Sequence, residues 1–368
     1  MAQRQPTIPV EPIIRRAFWE PGRDRYTMSS LLDKMHVGIV HPMIFPETGT
    51  GEGPVVETIE RIATDPFFGA IEIRPTISQE IRSRVTDVIA QSGIVPIISG
   101  QPPLLQGKLD INALDEGART EAVACVKASV DEAVAIGARY AAILTGPDPG
   151  EADRAKALEL LVRSLCEACE YAKAVPADEP VWISLEAFDR DVDKKALVGP
   201  TPIAVEVMER VKAEGHDNVG LLIDLSHLPL LQESPRQCLT AAAPHLIHIH
   251  AGNAFVRDPK DPAYGDQHPR FGYPGSMNNV DDLAEFIRVL DDIGYFSKHL
   301  PTGKPVFTFE VKPVPGESSE LIIAGTKRAL LAAIALAQEE TAARRCWNRG
   351  EDDESRYAHL ALRARAAR

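Results

Sequence analysis

Four short apolar runs in the second half of the chain repeat one pattern of apolar and polar positions. They cover residues 181–186, 221–224, 246–250 and 306–310. Each is short and rich in β-branched or aromatic residues, as buried strands are. One face of each run is apolar, whereas the other face ends in a residue that can bind a metal. A parallel strand covered by helices should be apolar on both faces, so these polar ends predict a functional site.

The chain as a whole alternates between predicted strands and predicted helices. The strands are predicted at 36–41, 69–74, 94–99, 140–145, 181–186, 219–224, 246–250 and 305–310. The helices are predicted at 54–65, 78–92, 115–138, 151–174, 201–214, 234–243, 281–293 and 317–341. Eight strands that are each followed by a helix predict an α/β fold, the (β/α)8 TIM barrel. Glycines after three of the helices favour left-handed caps, and they are Gly137, Gly215 and Gly294.

Three further segments complete the predicted domain organisation. Residues 1–34 are rich in proline and arginine and are interpreted as an N-terminal arm before a barrel that spans 35–341. A loop at 251–279 is far longer than the roughly two to six residues that such a connection needs. It follows a strand, so it lies on the side of the barrel where active sites form. Residues 342–368 are interpreted as a C-terminal extension that forms a peripheral helix or contacts a partner.

Composition excludes several classes of function. Apolar residues make up 44% of the 368 residues and charged residues 25%, as in a soluble protein with a large core. The net charge of −13 disfavours nucleic-acid binding, which depends on basic surfaces. No apolar run approaches the length of a transmembrane span, and the N-terminus lacks the apolar core of a signal peptide. Five scattered cysteines are typical of reduced thiols, so we expect a cytoplasmic protein without a membrane partner.

The chemistry of the four strand ends points to a metal. Glu186, Asp224, His250 and Glu310 supply three carboxylates and one imidazole. This oxygen-rich set suits a divalent Mn²⁺, Co²⁺, Mg²⁺ or Zn²⁺. Three carboxylates on neighbouring strands would also repel one another without a cation. The alternative is that these residues are separate ion-paired groups at strand ends.

A second set of polar residues accompanies these four. His227 follows Asp224 with Asp-x-x-His spacing, and Asp266 and His268 form an Asp-x-His pair in the long loop. Together they could hold a second metal beside the first. They could equally bind substrate hydroxyl groups or orient the ligands of the first metal. Both interpretations stay open at the level of sequence.

The order of these motifs resembles the xylose-isomerase-like (β/α)8 barrel superfamily. The resemblance covers about 35–340 and rests on a glutamate, Asp-x-x-His, His-x-His, a long loop with Pro-Gly and a final glutamate. This superfamily includes ketose 3-epimerases, hydroxypyruvate isomerase, inosose-processing enzymes and the endonuclease IV type of apurinic endonuclease. The stretch Glu-Ala-Phe-Asp-Arg at 186–190 is also similar to Glu-Pro-Leu-Asn-Arg of the epimerases, with Asp189 in place of Asn.

The resemblance implies roles for individual residues. Glu186 and Glu310 would bind the metal and act as the acid/base pair, while Asp224 and His250 would complete the ligand set. His227 and Arg257 would contact oxygen atoms of the substrate.

Two departures from the superfamily narrow the chemistry. Phe188 stands where xylose isomerase has a lysine, which favours proton transfer over a hydride shift. The endonuclease also needs histidines at the ends of the third and fourth strands, and the stretches 97–101 and 144–147 contain none. An endonuclease IV-like phosphoesterase is therefore disfavoured.

The predicted function is that of a divalent-metal-dependent sugar isomerase or epimerase that removes a proton next to a carbonyl. The same site could serve a lyase that cleaves 3-keto glycosides by β-elimination, as barrel subunits of C-glycoside-cleaving enzymes do. A third alternative is a metal-dependent sugar-binding protein without catalysis. The expected partners are a small sugar or keto-sugar glycoside, and either a second copy of the chain or a partner subunit.

Overall fold

Eight parallel strands form the barrel that the hydrophobic pattern predicts. The computed structural model describes residues 31–76 and 78–348, with side chains up to residue 341. The strands are β1 His36–Ile39, β2 Ala70–Ile73, β3 Val95–Ser99, β4 Tyr140–Ile143, β5 Trp182–Glu186, β6 Val219–Asp224, β7 Leu246–Gly252 and β8 Val306–Glu310. They are hydrogen-bonded in the order β1-β8-β7-β6-β5-β4-β3-β2. A parallel bridge between Val40 and Glu72 links the two ends of this sheet.

Helices surround the barrel. They are α1 His41–Ile44, α2 Val55–Ala63, α3 Gln79–Ser92, α4 Gln101–Gly107, α5 Glu116–Ile136, α6 Glu151–Ala174, α7 Thr201–Ala213, α8 His227–Leu231, α9 Pro235–Ala242, α10 Val280–Asp292 and α11 Ser319–Asn348. Single 3₁₀ turns occur at Pro46–Thr48 and Tyr295–Ser297. No helix of the described ranges is both long and apolar enough to cross a membrane.

The observed bounds agree with the predicted elements to within a few residues at most ends. Helix α11 is the exception, because it continues to Asn348 rather than ending at 341. The predicted glycine caps have left-handed φ angles of 78°, 89° and 75° at Gly137, Gly215 and Gly294. Residues 1–30 of the predicted arm and 349–368 of the predicted extension lie outside the described residues.

The alternation of side chains along the strands separates two environments. Ile183, Leu185, Ile249 and Phe307 are fully buried in the large apolar cluster that includes helix residues. Burial of such a side chain stabilises the fold by about 1.5–3 kcal/mol. The polar positions on the same strands point into the barrel instead, so strand parity alone assigns them to its interior.

Strand register then places the polar ends at the same mouth of the barrel. Asp224 of β6 is paired with His250 of β7, and Gly252 of β7 is paired with Glu310 of β8. The loop after β7 runs from 253 to 279 before α10 begins, slightly shorter than the predicted 251–279. It belongs to this mouth, where TIM barrels carry their functional loops.

Candidate metal centre and active site

The four predicted metal ligands come together. Glu186, Asp224, His250 and Glu310 each offer one ligand atom, and these atoms all lie within 4.8 Å of one another. The first three side chains are buried, and Glu310 is partly exposed toward the mouth. Three carboxylates and one imidazole at this distance fit a hard divalent cation.

Backbone groups fix the carboxylate of Asp224. Its Oδ1 accepts hydrogen bonds from the backbone N–H groups of Ser226 at 2.8 Å and Gly252 at 3.0 Å. Its Oδ2 accepts a bond of 2.5 Å from the Ser226 hydroxyl group. The ends of β6 and β7 therefore hold this ligand in one orientation.

The two glutamates have different surroundings. The Gln101 side chain donates a hydrogen bond of 2.8 Å to Glu186 Oε2, whereas Glu186 Oε1 is buried and has no hydrogen-bond partner among the described residues. Burial raises the pKa of Glu186, and the nearby Glu310 charge adds to this rise. Burial alone would also raise the pKa of Glu310, but the positive charges of His268 and His250 outweigh it and lower the pKa.

His250 lies between two carboxylates. Its Nδ1 is 2.7 Å from Glu310 Oε2, and its Nε2 is 2.7 Å from Glu72 Oε2. Burial opposes a charge on this ring, but the carboxylates of Glu72 and Glu310 raise the pKa of His250 well above its usual value. Positive charge at this position is thus strongly favoured, as the negative charge of the cluster requires.

Asp266 links the two histidines of the second predicted set. Its Oδ1 lies 3.0 Å from His227 Nε2 and 2.7 Å from His268 Nε2. Its Oδ2 lies 2.9 Å from the ammonium group of Lys194. His227, His268 and Asp224 also offer ligand atoms within 4.8 Å of one another. The two groups of residues therefore share Asp224 and form one continuous polar cluster.

Neighbouring acceptors determine where His227 carries its protons. Its Nδ1 lies 2.8 Å from the carbonyl oxygen of Ala187, which can only accept, so Nδ1 carries a proton. Burial lowers the pKa of His227, but Asp266 outweighs it, and the pKa is raised to about 10. The Nε2 atom is left facing Asp266 and the interior of the cluster.

His268 is held in an unusual conformation. Its φ angle is 50°, in the left-handed region that residues other than glycine rarely adopt. Its Nδ1 is buried, has no hydrogen-bond partner in the part of the chain that the structure describes, and lies 3.5 Å from Asp224 Oδ2. Backbone strain of this kind is found where surrounding structure enforces a functional geometry.

Arg257 is the predicted site residue that stays apart. Its side chain is exposed in the long loop and lies beside the turn at Gly275. Among the described residues it forms no ion pair with the cluster. Its assignment to the substrate remains a prediction.

Among the residues that contact the cluster and that sequence reasoning missed are Glu72, Gln101 and Lys194. Glu72 had a signal, since a carboxylate interrupts the apolar strand β2. Gln101 is the first residue of the short helix α4, and Lys194 lies in a charged loop after β5. Neither has a local pattern that distinguishes it from an ordinary surface residue.

Comparisons with known proteins agree with the barrel. Residues 57–315 match the profile of a family described as xylose isomerase-like TIM barrel. No curated protein matches the sequence.

Solved structures extend the comparison at low identity. D-Psicose 3-epimerase from Clostridium cellulolyticum H10 is 18% identical, with 83% of this chain and 98% of that chain covered and a TM-score of 0.57. L-Ribulose 3-epimerase is 20% identical, with 89% and 98% covered and a TM-score of 0.58. 3-Keto-D-glucoside 4-epimerase from E. coli is 13% identical, with 83% and 99% covered and a TM-score of 0.56. At such identities the likeness establishes the fold alone.

Proposed function

Because the chain belongs to the xylose isomerase-like TIM barrel family, we propose that it is a divalent-metal-dependent sugar isomerase or epimerase. The observation that carries this proposal is the convergence of Glu186, Asp224, His250 and Glu310 within 4.8 Å at the mouth of the barrel. The similar solved structures are those of sugar epimerases, which supports the same class of substrate.

The donor set supports a bound cation. Within the described ranges Glu186 Oε1 has no hydrogen-bond partner, and the three neighbouring ligands would complete a site for Mn²⁺, Co²⁺, Mg²⁺ or Zn²⁺. Such a cation supplies Lewis acidity, which makes the C–H group next to a substrate carbonyl easier to deprotonate.

Glu186 and Glu310 are the proposed acid/base pair. They come from β5 and β8, which are separated by two strands in the barrel, so their carboxylates enter the site from different directions. One carboxylate removes the proton and the other returns a proton, either to the opposite face of the same carbon or to the neighbouring carbon. The first outcome is epimerisation and the second is isomerisation.

His227 and Arg257 are the proposed contacts to substrate oxygen atoms. Because the pKa of His227 is raised to about 10, Nε2 carries a proton as well as Nδ1 and can donate from inside the cluster to an oxygen atom that gains negative charge. Arg257 comes from the long loop that covers this mouth.

A second candidate is a lyase that acts on 3-keto glycosides. It is favoured by the likeness to a 3-keto-D-glucoside 4-epimerase and by a loop long enough to enclose a glycoside. Proton removal next to the keto group would then expel the leaving group by β-elimination.

One screen separates these functions. Purified protein is analysed for metal and then incubated in D₂O with a panel of ketoses and 3-keto glycosides. Deuterium incorporation with a changed configuration supports an epimerase, and release of an aglycone supports the lyase. Binding of sugars without exchange or turnover across the panel would refute both and favour a non-catalytic sugar-binding protein.

The assembly is proposed as a homo-oligomer or a complex with a partner subunit. Light scattering on the purified chain tests this, and a monomer that is fully active would refute it.

A further inference from the structure

Glu72 is a buried carboxylate in the interior of the barrel. It lies in β2, where every residue is buried, and its own exposed fraction is 0%. Its strand neighbours Ile71 and Ile73 belong to the apolar core. A charged group in this place destabilises the fold strongly unless it is paired and hydrogen-bonded. Its contacts should therefore reveal why it is there.

The two oxygen atoms of Glu72 have different partners. Oε1 accepts a hydrogen bond of 2.9 Å from the hydroxyl group of Ser99 on the neighbouring strand β3. Oε2 lies 2.7 Å from Nε2 of His250, which belongs to β7 and reaches Glu72 across the barrel interior. The carboxylate is thus held on one side and directed at His250 on the other.

A nearby histidine does not compete for this carboxylate. His248 Nε2 is 3.5 Å from Glu72 Oε2 and 3.4 Å from the Thr308 hydroxyl group. His250 lies nearer to Glu72 than His248 does. Of these two rings, only that of His250 has its second nitrogen facing the proposed metal ligands.

This arrangement decides which nitrogen of His250 is available. A carboxylate accepts hydrogen bonds, so Glu72 favours a proton on Nε2. Nδ1 is the nitrogen that faces the proposed ligands, 2.7 Å from Glu310 Oε2 and 3.6 Å from Glu186 Oε1. A cation held by these carboxylates would take the place of the proton on Nδ1, whereas Nε2 would keep the proton that Glu72 accepts. Carboxylate groups behind metal-bound histidines act in this way and also make the ring a stronger ligand.

We propose that Glu72 is a positioning residue that fixes His250 as an Nδ1 ligand of the cation through a hydrogen bond to Nε2. This inference rests on the proposed function, because it assumes that the cluster binds a divalent cation. It differs from the alternative that Glu72 is merely a hydrogen-bonded core residue. In that case its removal should change stability and leave cation affinity untouched.

The first test measures affinity for Mn²⁺ and Zn²⁺ in the absence of substrate. Glu72→Ala removes the acceptor, and we expect affinity to fall about 10–100-fold. Glu72→Gln keeps an amide oxygen that can accept from Nε2, so we expect a smaller loss. Ser99→Ala is the matched control, because it removes the bond to Oε1 and leaves Oε2 on His250. It should bind the cations nearly as the unaltered protein does.

The second test observes the ring of His250 directly. In protein labelled with ¹⁵N-histidine and loaded with Zn²⁺, His250 should carry its proton on Nε2, with the signal assigned by its loss in His250→Gln. Glu72→Gln should retain that proton with a shifted resonance. This measurement decides the matter even where Glu72→Ala does not fold.

The outcomes distinguish this inference from the proposed function. Normal cation binding by the unaltered protein with equal affinity in both Glu72 variants overturns the inference alone, as does a proton found on Nδ1 of the Zn²⁺-bound ring. Absence of cation binding by the unaltered protein overturns both. A loss of cation affinity that is small in Glu72→Gln and larger in Glu72→Ala, together with a proton on Nε2 of His250, supports the positioning role.

Discussion

The Gln101 side chain donates a hydrogen bond of 2.8 Å to Glu186 Oε2, while no residue that the structure describes donates one to Glu186 Oε1. A single amide thereby determines which oxygen of Glu186 can serve the cation and the substrate. The position of Gln101 follows from α4, which begins directly after β3 at the mouth of the barrel.

Replacing this amide should impair proton transfer more than cation binding. Gln101→Met keeps the length of the side chain and removes the donor, and a hydrogen bond to a charged group is worth about 1.5–3 kcal/mol. We expect deuterium exchange into substrate to slow about tenfold or more. Gln106→Met on the same helix is the control, since Gln106 is exposed and bonds the backbone of Gly49. Equal exchange rates in the two variants would remove Gln101 from the site.

The proposed acid/base pair is tested by amide substitutions. Glu186→Gln and Glu310→Gln each keep an oxygen atom for the cation and lose the proton-accepting carboxylate. We expect each to lose about a hundredfold or more in turnover, with cation partly retained, because three other ligands remain. Exposed Glu320→Gln serves as the control for a change of charge. A variant that holds its cation and turns over at a near-normal rate would exclude that glutamate from the mechanism.

The variant that lacks the abstracting base has a further signature. With substrate deuterated at the reacting carbon, it should release no deuterium to solvent. The variant that lacks the returning acid should still release deuterium, because its proton-removing carboxylate is intact. Equal washout from both variants would contradict a division of labour between the two glutamates.

The number of cations per chain is expected to be one. Lys194 already provides a positive charge 2.9 Å from Asp266 Oδ2, so the second set of residues is neutralised without a metal. His268→Ala should therefore leave the stoichiometry at one in elemental analysis and weaken substrate binding. A fall from two cations to one would show that His227, Asp266 and His268 hold a second metal.

A histidine outside the cluster should make the fold sensitive to acid. His41 is buried and its Nε2 lies 2.7 Å from the Thr58 hydroxyl oxygen, while burial lowers the pKa of His41 from 6.5 to about 3. Between these two values the unfolded chain binds a proton that the folded chain excludes, so stability falls as pH decreases. This one histidine can lower the free energy of unfolding by at most about 1.4 kcal/mol per pH unit.

This acid sensitivity is measurable by urea unfolding of metal-free protein at pH 7.5 and pH 5. His41→Gln should show a smaller loss of stability between these pH values than the unaltered protein. The control variant His299→Gln replaces an exposed histidine and should lose as much stability between these pH values as the unaltered protein does. An unchanged pH dependence in His41→Gln would mean that other groups account for the acid transition.

Strand parity predicted most of the barrel and brought the four proposed ligands to one mouth. The period of two along a strand is a local property, so Glu186, Asp224 and Glu310 could be assigned to the interior from sequence. Contacts across the barrel depend on register and on the reach of side chains, which no local pattern encodes. Glu72 and His250 are 178 positions apart and still lie within hydrogen-bonding distance.

Short elements were the other part that sequence could not supply. Helix α8 has five residues, too few for a helical period to appear, yet it begins at His227 and sets the direction of that side chain. The end of α11 was misplaced for a different reason, because no glycine or proline marks a stop near residue 341.

The bond between Lys194 and Asp266 makes two loops dependent on each other. Asp189 shapes the first loop by accepting backbone N–H groups of residues 192, 193 and 194, and Lys194 then reaches Asp266 in the second. Anyone who grafts the segment 253–279 onto a related scaffold should therefore transfer 189–198 with it. A graft of the longer segment alone would bring the carboxylate without its cationic partner and leave the rim of the cleft unanchored.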